Sequence, residues 1–589
     1  MTEDQFAKAD NGSDYSYGSD NQRGTQADAY QKPGMLRQFA DSFKPYEFSP
    51  EEKAEIEAAS RSTGRKFDEE AVKIRLAKSP LSRSLKGRHL QMIAIGGAIG
   101  TGLFVGSGKA LNDGGPASLL IAFTLIGIMS YCTVHASGEL AVLFPVSGAF
   151  AVYSTRFIDP AWGFAMGWNY AMQWFVGFPL ELVAAAITIQ YWTTSISPAV
   201  FVAIFWVCIV FINFFGVRGY GEAEFVFSLI KVIAVVGFVI SGIVLVCGGG
   251  PVGGYIGGTY WHNPGAFNHG FKGLCRVFVT AAFSFAGTEL VGLAAAETAN
   301  PRKTLPKAAK QVFWRITLFY IVGLTIVGLL VPYNDPRLLG DSSVDAKASP
   351  FVIAVVNAQI NALPSIINAV ILVAVSSVGN SCIFGFSRTL CASSQQNMAP
   401  KIFSYIDRKG RPLVSIITIL AFGLLGFIAA SSAQGEVFTW LLALTGLSCI
   451  FTWGSICLSH ILFRIAWKKQ GHTLEEIPFT SQAGVLGSYV GFIFNILVLV
   501  VTFWVSVWPI GASPNAKSFF SSYLGAPLVI TLFSCYKIWF RTKFVTPSTA
   551  DITSGRRELD SDASNEELRI EREESAKKNF SIRTYRFWC

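Results

Sequence analysis

Apolar and polar positions in this chain separate into whole segments. Apolar runs lie near residues 90–111, 116–143, 161–191, 198–217, 223–248, 273–297, 311–332, 363–390, 413–431, 436–466, 486–509 and 519–540. A helix needs ~20 such residues to cross a hydrocarbon core of ~30 Å. The pattern therefore predicts an all-α integral membrane protein with 12 transmembrane helices. The third, eighth and tenth runs are long, which predicts tilt. The stretch 350–361 is too short and mixed to span and reads as an amphipathic helix on the outer face. Polar sequence flanks the runs, dividing the chain into an N-terminal tail (1–88), a twelve-span domain (89–540) and a C-terminal tail (541–589). The N-terminal tail lacks apolar periodicity through about residue 50 and is expected to be largely flexible. Residues 565–578 read as a charged helix.

Composition sharpens this picture. The 589 residues are 51% hydrophobic and only 15% charged, against ~25% in soluble domains. That excludes soluble, secreted, fibrous and disordered classes. The tails are nearly balanced in charge, so the formal net charge of +9 comes almost entirely from the central domain. An even number of spans puts both tails on one side. With cytoplasmic tails, fifteen basic residues fall in inner loops, among them Arg156, Arg218, Arg302, Arg315, Arg388, Arg408 and Arg464, and six in outer loops, such as Lys109, Lys272 and Arg276. This satisfies the positive-inside rule and explains the basic balance without nucleic acid. The sequons at Asn11 and Asn579 fall in the tails and should stay unglycosylated. The polar opening carries no secretory signal, so the first run is expected to direct its own insertion. Ten scattered cysteines without C-x-x-C spacing read as small core residues. Cys247 and Cys275 flank one outer loop and are a candidate disulfide. Metal-ligand spacing, a nucleophile–base pair and a phosphate loop are all missing, so neither an enzyme nor a bound cofactor or metal is expected.

Ionisable residues inside a span are costly, at least ~2.5 kcal/mol at the bilayer centre, and each is a functional hypothesis. Glu181, Lys231 and Glu289 are the deepest. Glu139 and Glu297, at span ends, read as structural ion-pair partners, and His135 as a packing histidine. Two runs are interrupted at mid-depth. The first contains Gly96-Gly97-Ala98-Ile99-Gly100-Thr101-Gly102, and the sixth Phe283-Ser284-Phe285-Ala286-Gly287-Thr288-Glu289. Irregular backbone at that depth is tolerated where it lines a cavity or is buried in protein. Paired interruptions in the two halves of a membrane chain point to a transporter site. Gly102 and Gly106 also form a G-x-x-x-G packing element, but the matching break in run six favours binding. Unwinding at Gly100–Gly102 frees backbone N–H groups at the positive end of a helix, which suit a carboxylate. Unwinding in run six frees carbonyls, which suit an ammonium. Together they fit a zwitterion, and α-amino acids are the obvious class.

Residues 87–94, Gly-Arg-His-Leu-Gln-Met-Ile-Ala, run into the first break. With the stretches 138–150, 215–238, 278–320 and 404–413 and the terminal Phe587-Trp588-Cys589, they resemble the fungal amino-acid permeases of the amino acid–polyamine–organocation superfamily. The likeness covers essentially the whole chain and is nearest to the general, broad-specificity type. It implies a five-plus-five inverted repeat (LeuT-like) plus two additional helices, with repeat one about 89–248, repeat two about 273–466 and the extra spans about 486–540. It also implies proton symport of L-amino acids at the plasma membrane. By position, the carboxylate would meet Ala98, Ile99, Gly100, Thr101 and Gly102. The amino group would meet carbonyls of Phe283, Ser284 and Ala286, with Phe283 and Phe285 as a gate. Lys231 and Glu289 would carry proton coupling, Lys231 standing where some relatives hold sodium. Glu289 would also border the substrate. Candidates for specificity are Glu181, Thr288, Asn380, Thr445, Ser448 and Thr452.

The tails resemble regulated permease tails. Lys8 is a candidate ubiquitin acceptor and Cys589 a candidate lipidation site, although a lone terminal Cys is no CaaX box. Ubiquitin ligases and trafficking factors are expected partners, with cycling through endoplasmic reticulum, Golgi and endosomes. The competing readings are a narrow-specificity permease and an amino-acid receptor with a transporter fold; a channel would need a charge-lined pore.

Overall fold

In the computed structural model, the described residues are 35–54, 79–97, 99–251, 254–298, 300–338, 349–360, 362–431 and 434–554. Ala98, Lys8, Cys589, both sequons and the 565–578 segment lie outside them. The chain divides into two units, Met1–Ser42 and Phe43–Cys589. The first contributes one short helix, Met35–Asp41. The second is a bundle of helices.

Its elements are α1 (Gly87–Gly96), α2 (Gly102–Leu143), α3 (Ala149–Phe157), α4 (Pro160–Ile189), α5 (Pro198–Phe214), α6 (Gly216–Val246), α7 (Gly270–Phe285), α8 (Leu290–Leu293, continued by a 3₁₀ turn to Glu297), α9 (Pro301–Leu330), α10 (Pro350–Asn357), α11 (Leu363–Gln395), α12 (Leu413–Ala430), α13 (Gln434–Lys469), α14 (Gly484–Val507) and α15 (Gly525–Phe540). Among the described residues, nine helical stretches are long and apolar enough to cross a membrane, counting α7 and α8 as one, and α5 and α15 are shorter apolar helices. A lipid core demands this, because a helix satisfies its backbone polar groups internally.

Helix starts follow local chemistry. The Asp159 carboxylate accepts from the Ala161 amide at 2.7 Å ahead of α4, with Pro160 in the first turn. Asn300 and Pro301 open α9 in the same way, as expected of polar caps followed by proline. α2 is divided at Gly115 (φ +80°). The loop at 266–268 closes over the kink, Ala117 N donating to Ala266 O at 2.9 Å and Asn268 N to Gly114 O at 2.8 Å.

α4 and α11 form the most extensive pair at the centre, with α13 and α6 beside them. α5, α6 and α14 turn large apolar side chains outward, including Val207, Phe211, Ile233, Ile240, Ile493 and Val500. Apolar surface on this scale marks a lipid or protein contact.

Several expectations meet their outcome here. Glu139 is fully buried, paired with Arg464 at 2.6 Å and His460 at 3.2 Å. Glu297 pairs with Arg388 at 2.7 Å. His135 is buried against Tyr131 and Phe479. Three points differ. Cys247 and Cys275 are both free thiols. Arg315 and Arg388, counted with the loops, are buried within α9 and α11, because those helices extend past their apolar runs. α10 is not one-sided: residues 350–355 are all buried, with Phe351 wedged between Phe104 and Phe238.

Candidate functional site

The two interrupted helices meet. α1 ends at Gly96, where Gly97 N donates to Ile93 O and Ile99 N turns back to Gly96 O, both at 3.0 Å. Helix resumes at Thr101. The first N–H groups of a helix have no acceptor within it, and here they belong to residues around Gly100, Thr101 and Gly102. Gly102 lies against the other break. A Cβ built on it would stand 2.5 Å from Ser284 Cα and 2.8 Å from Ser284 Oγ. Only glycine allows that approach.

The second break follows Phe285. Ala286 leaves the helix (ψ 137°) and Gly287 turns left-handed (φ +91°). Glu289 holds this turn. Its two carboxylate oxygens accept from the Gly287 amide at 3.2 and 3.1 Å, and Oε2 also accepts from Trp453 Nε1 at 3.0 Å. Glu289 thus ties its own break to α13.

The carbonyls freed here already have partners. Phe283 O accepts from Ala286 N at 3.1 Å. Ser284 O accepts from the Tyr320 hydroxyl at 2.6 Å, and Phe285 O from Thr288 Oγ1 at 2.5 Å. Arg315 donates to Tyr320 at 3.3 Å and to Ala94 O at 3.2 Å. The Arg315–Tyr320 pair therefore bridges both breaks, although neither residue stood out in the sequence.

A narrow cavity lies between the breaks and α4. It is lined by Gly100, Thr101, Gly102, Phe283, Ala286 and Thr445, and by Gln173, Trp174, Gly177, Glu181, Val378 and Cys382. Its volume is about 20 Å³, room for roughly one water. Across it Thr101 Oγ1 donates to Glu181 Oε2 at 2.5 Å. Gln173 is fully buried, and both ends of its amide lack a hydrogen-bond partner among the described residues. Gln173, Gly177 and Glu181 are spaced i, i+4, i+8, one face of α4. Extending the stripe from Glu181 would have found the other two.

Other candidates stand off the cavity. Phe285 is stacked on Tyr320 with ring centroids 4.0 Å apart, so of the two gate candidates only Phe283 lines the space. Thr288, within the break, donates its hydroxyl back to Phe285 O at the end of α7. Asn380 Oδ1 accepts from Asn213 at 2.8 Å. Asn169 Nδ2 donates to Ser448 O and Thr452 Oγ1 at 2.9 and 3.1 Å, which places those two in α4–α13 packing. Lys231, fully buried on α6, donates to Gly96 O at 2.5 Å and to Ser377 Oγ at 2.7 Å. Ser377 donates in turn to Glu224 Oε2 at 2.7 Å. Glu224 is also fully buried and escaped notice at the start of its apolar run.

Apolar helices, two of them broken and facing each other over a buried polar cleft, define a multi-pass membrane protein of the transporter kind. The sequence model of the amino-acid permease family matches residues 89–547, and the chain belongs to that family. It is 62% identical over 523 residues to the general amino-acid permease GAP2 of Candida albicans, covering 88% of this chain and 89% of that one. It is 58% identical over 528 residues to the general amino-acid permease GAP1 of Saccharomyces cerevisiae, covering 88% of each. The histidine permease of the same yeast is 52% identical over 518 residues, covering 86% of each.

Proposed function

We propose that the protein takes up L-amino acids across the plasma membrane in symport with protons, by alternating access and with broad specificity. The observation that carries this reading is the contact of the two helix breaks at Gly102 and Ser284. It sets the positive start of one helix beside the free carbonyl lone pairs of another. An α-carboxylate docks on the N–H groups of Gly100–Gly102 and on the Thr101 hydroxyl, beside Ala98 and Ile99. The ammonium takes the second lone pairs of the Phe283 and Ser284 carbonyls and the Ala286 carbonyl. The side chain lies toward Gln173, Gly177, Val378, Cys382 and Thr445, with Phe283 as gate. Glu289 positions the second break rather than touching the substrate.

Coupling follows from charge. The incoming carboxylate competes with Glu181 for the Thr101 hydroxyl, and two ionised carboxylates at such a distance repel. A proton on Glu181 removes the repulsion, so substrate and proton enter together. While protonated, Lys231 supplies the cation that holds the Gly96 carbonyl, where a symported metal ion would otherwise sit. The cavity must widen to admit an amino acid. We assign that motion to α1, α2 and α7–α9 rocking against a scaffold of α4–α6 and α11–α13, each group drawing helices from both halves of the inverted repeat. One charge moving through 100 mV releases about 2.3 kcal/mol, enough for roughly 50-fold accumulation.

Orientation rests on the loops. Val545 N donates to Ile158 O at 2.9 Å and Leu85 N to Glu297 O at 3.1 Å, while Arg156 donates to Ser554 O at 2.8 Å. Both tails thus begin on the basic loops of one face, which we assign to the cytoplasm. Breadth rests on the greater identity to general permeases than to the histidine permease.

The test is uptake of labelled neutral, basic, acidic and proline substrates in cells lacking their own permeases, at two external pH values, with and without a protonophore. Uptake of most substrates, faster at low pH and abolished by the protonophore, is expected. Uptake of one class alone overturns the breadth. Binding at the cell surface without uptake replaces transport with a receptor role.

A further inference from the structure

The Lys231–Ser377–Glu224 chain is a run of buried hydrogen bonds with a defined polarity. Lys231 Nζ donates to Ser377 Oγ at 2.7 Å, and Ser377 spends its only proton on Glu224 Oε2, also at 2.7 Å. All three residues are fully buried. The other donor contact of Lys231 is the Gly96 carbonyl at 2.5 Å, the last helical carbonyl before the first break. Glu224 precedes Lys231 by seven residues, two turns of α6, toward the end of that helix that faces the basic loops. Beyond Glu224 the polar path continues. Tyr220 OH lies 3.2 Å from Ser381 Oγ, and Tyr220 stacks on Phe384 with centroids 4.5 Å apart. On α11 the positions 377, 381, 384 and 388 form one helical face, ending at Arg388 in its pair with Glu297.

We propose that Ser377 and Glu224 are the inward proton relay of the transporter, taking the proton from Lys231 and releasing it toward the cytoplasm. This rests on the proton-symport reading above. In the step, the Lys231 N–H bond breaks as an O–H bond forms on Ser377. The original Ser377 O–H bond breaks as one forms on Glu224 Oε2. An ammonium and a carboxylate become an amine and a carboxylic acid, with the serine hydroxyl regenerated. The O–H bond of protonated Glu181, which faces Lys231, then breaks as an N–H bond re-forms on the amine, so the proton that entered on Glu181 is the one replaced. The neutral amine grips Gly96 O less strongly, because charged donors make roughly twice-stronger hydrogen bonds. Proton departure and loosening of the broken helix are thereby one event. Other charged and titratable groups bear on the pair from every side: Glu181 on α4 and Arg315 on α9 face Lys231, and Tyr220 and Cys382 face Glu224. On the neighbouring face of α6, Glu222 is engaged by Arg88 and His89 of α1.

The experiment uses the purified full chain in proteoliposomes, with wild type, Glu224→Gln, Ser377→Ala and Glu224→Asp. Two rates are taken per molecule of reconstituted protein. One is exchange of labelled for unlabelled substrate at equal concentrations, which needs no net proton movement. The other is accumulation driven by an inward proton gradient with about 100 mV imposed. Both E224Q and S377A are expected to lose most of the roughly 50-fold accumulation that one coupled charge supports, while exchange falls far less; E224D should restore part of the accumulation. Wild-type accumulation in either E224Q or S377A overturns the relay. So does equal loss of exchange and accumulation, which makes Glu224 a strut. Exchange without accumulation in the wild type would instead sink proton symport itself.

Discussion

The contact between the two helix breaks is tested most directly by Gly102→Ala. The added methyl carbon would stand 2.5 Å from Ser284 Cα, 2.8 Å from its Oγ and 3.0 Å from its Cβ. Carbon atoms pack best at about 3.5–4.0 Å, so one break must retreat from the other by roughly 1 Å. The nearest obstacle is backbone, which has no rotamer to change. Overpacking of this kind destabilises by ~1–3 kcal/mol. The greater loss is expected in transport, since a displacement of about 1 Å at a reacting centre can lower a rate 10²-fold and the same breaks form the proposed binding cleft. Gly237→Ala is the control: its Cβ meets nothing within 4 Å, and alanine is the better helix former by up to ~1 kcal/mol. Uptake per molecule at the cell surface should fall about a hundredfold in G102A, by the same positional argument, and hold in G237A. Adding Ser284→Gly to G102A should not rescue it, because the Cα clash remains. Wild-type uptake in G102A, or full rescue by S284G, would refute backbone-to-backbone contact as the organising feature of the site.

Three further outcomes follow from buried partners. Gln173→Leu removes an unpaired buried amide, so thermal stability should hold or rise, while KM for glutamine should rise about tenfold relative to leucine, the worth of one hydrogen bond; an unchanged ratio would remove Gln173 from the substrate wall. Trp453→Phe takes a donor from the Glu289 carboxylate and should lower stability by about 1.5–3 kcal/mol, the range for hydrogen bonds to charged groups, read as a drop in melting temperature in detergent. Arg388→Met strands the buried Glu297 charge and should cost ~3–5 kcal/mol, whereas the double variant with Glu297→Gln should recover most of it; additive losses in that cycle would show that the two side chains do not act as a pair.

What the sequence made legible was depth rather than phase. The apolar runs, the glycine-rich break and the small-residue break at 283–289 are features of composition along one dimension, and all correspond to structural features. Glu139 and Glu297 read correctly as ion-pair partners because a charge at a span end has few alternatives. Side-chain facing is another matter, since it depends on how each helix is rotated against its neighbours. Thr288, Asn380, Ser448 and Thr452 are polar residues in the right helices that turn into packing contacts. Thr445, chosen on the same grounds, lines the cavity. Gln173 was invisible to a search for charges because an amide carries none. Glu224 and Arg315 were hidden by position: each sits where an apolar run begins and reads as an interface or loop residue, yet both helices start well before their runs do. The Arg315–Tyr320 bridge also depends on α9 lying across both breaks, and sequence spacing says nothing about that.

The closed cleft bears on how the breadth of specificity proposed above would be achieved. The groups we assign to a carboxylate and an ammonium are engaged internally: Thr101 with Glu181, and the Ser284 carbonyl with Tyr320. A substrate therefore exchanges one set of hydrogen bonds for another, and each exchange yields little net free energy, about 0.5–1.5 kcal/mol for a typical bond. That yield comes from backbone and from atoms that every α-amino acid shares. The remaining wall is Gly177, Val378, Cys382, Thr445, the ring of Trp174, whose Nε1 lies against Gly385 of α11, and one unpaired amide at Gln173. Against such a wall a methylene more or less changes discrimination by only ~1–3 kcal/mol. Narrow selection would need a fixed charge or a rigid donor pointing at the substrate side chain. Among the described residues, the only charged side chain lining the cavity, Glu181, is committed to Thr101 and, in our proposal, to the proton. In the function proposed above, the site reads the common part of its substrates and leaves their side chains largely unexamined.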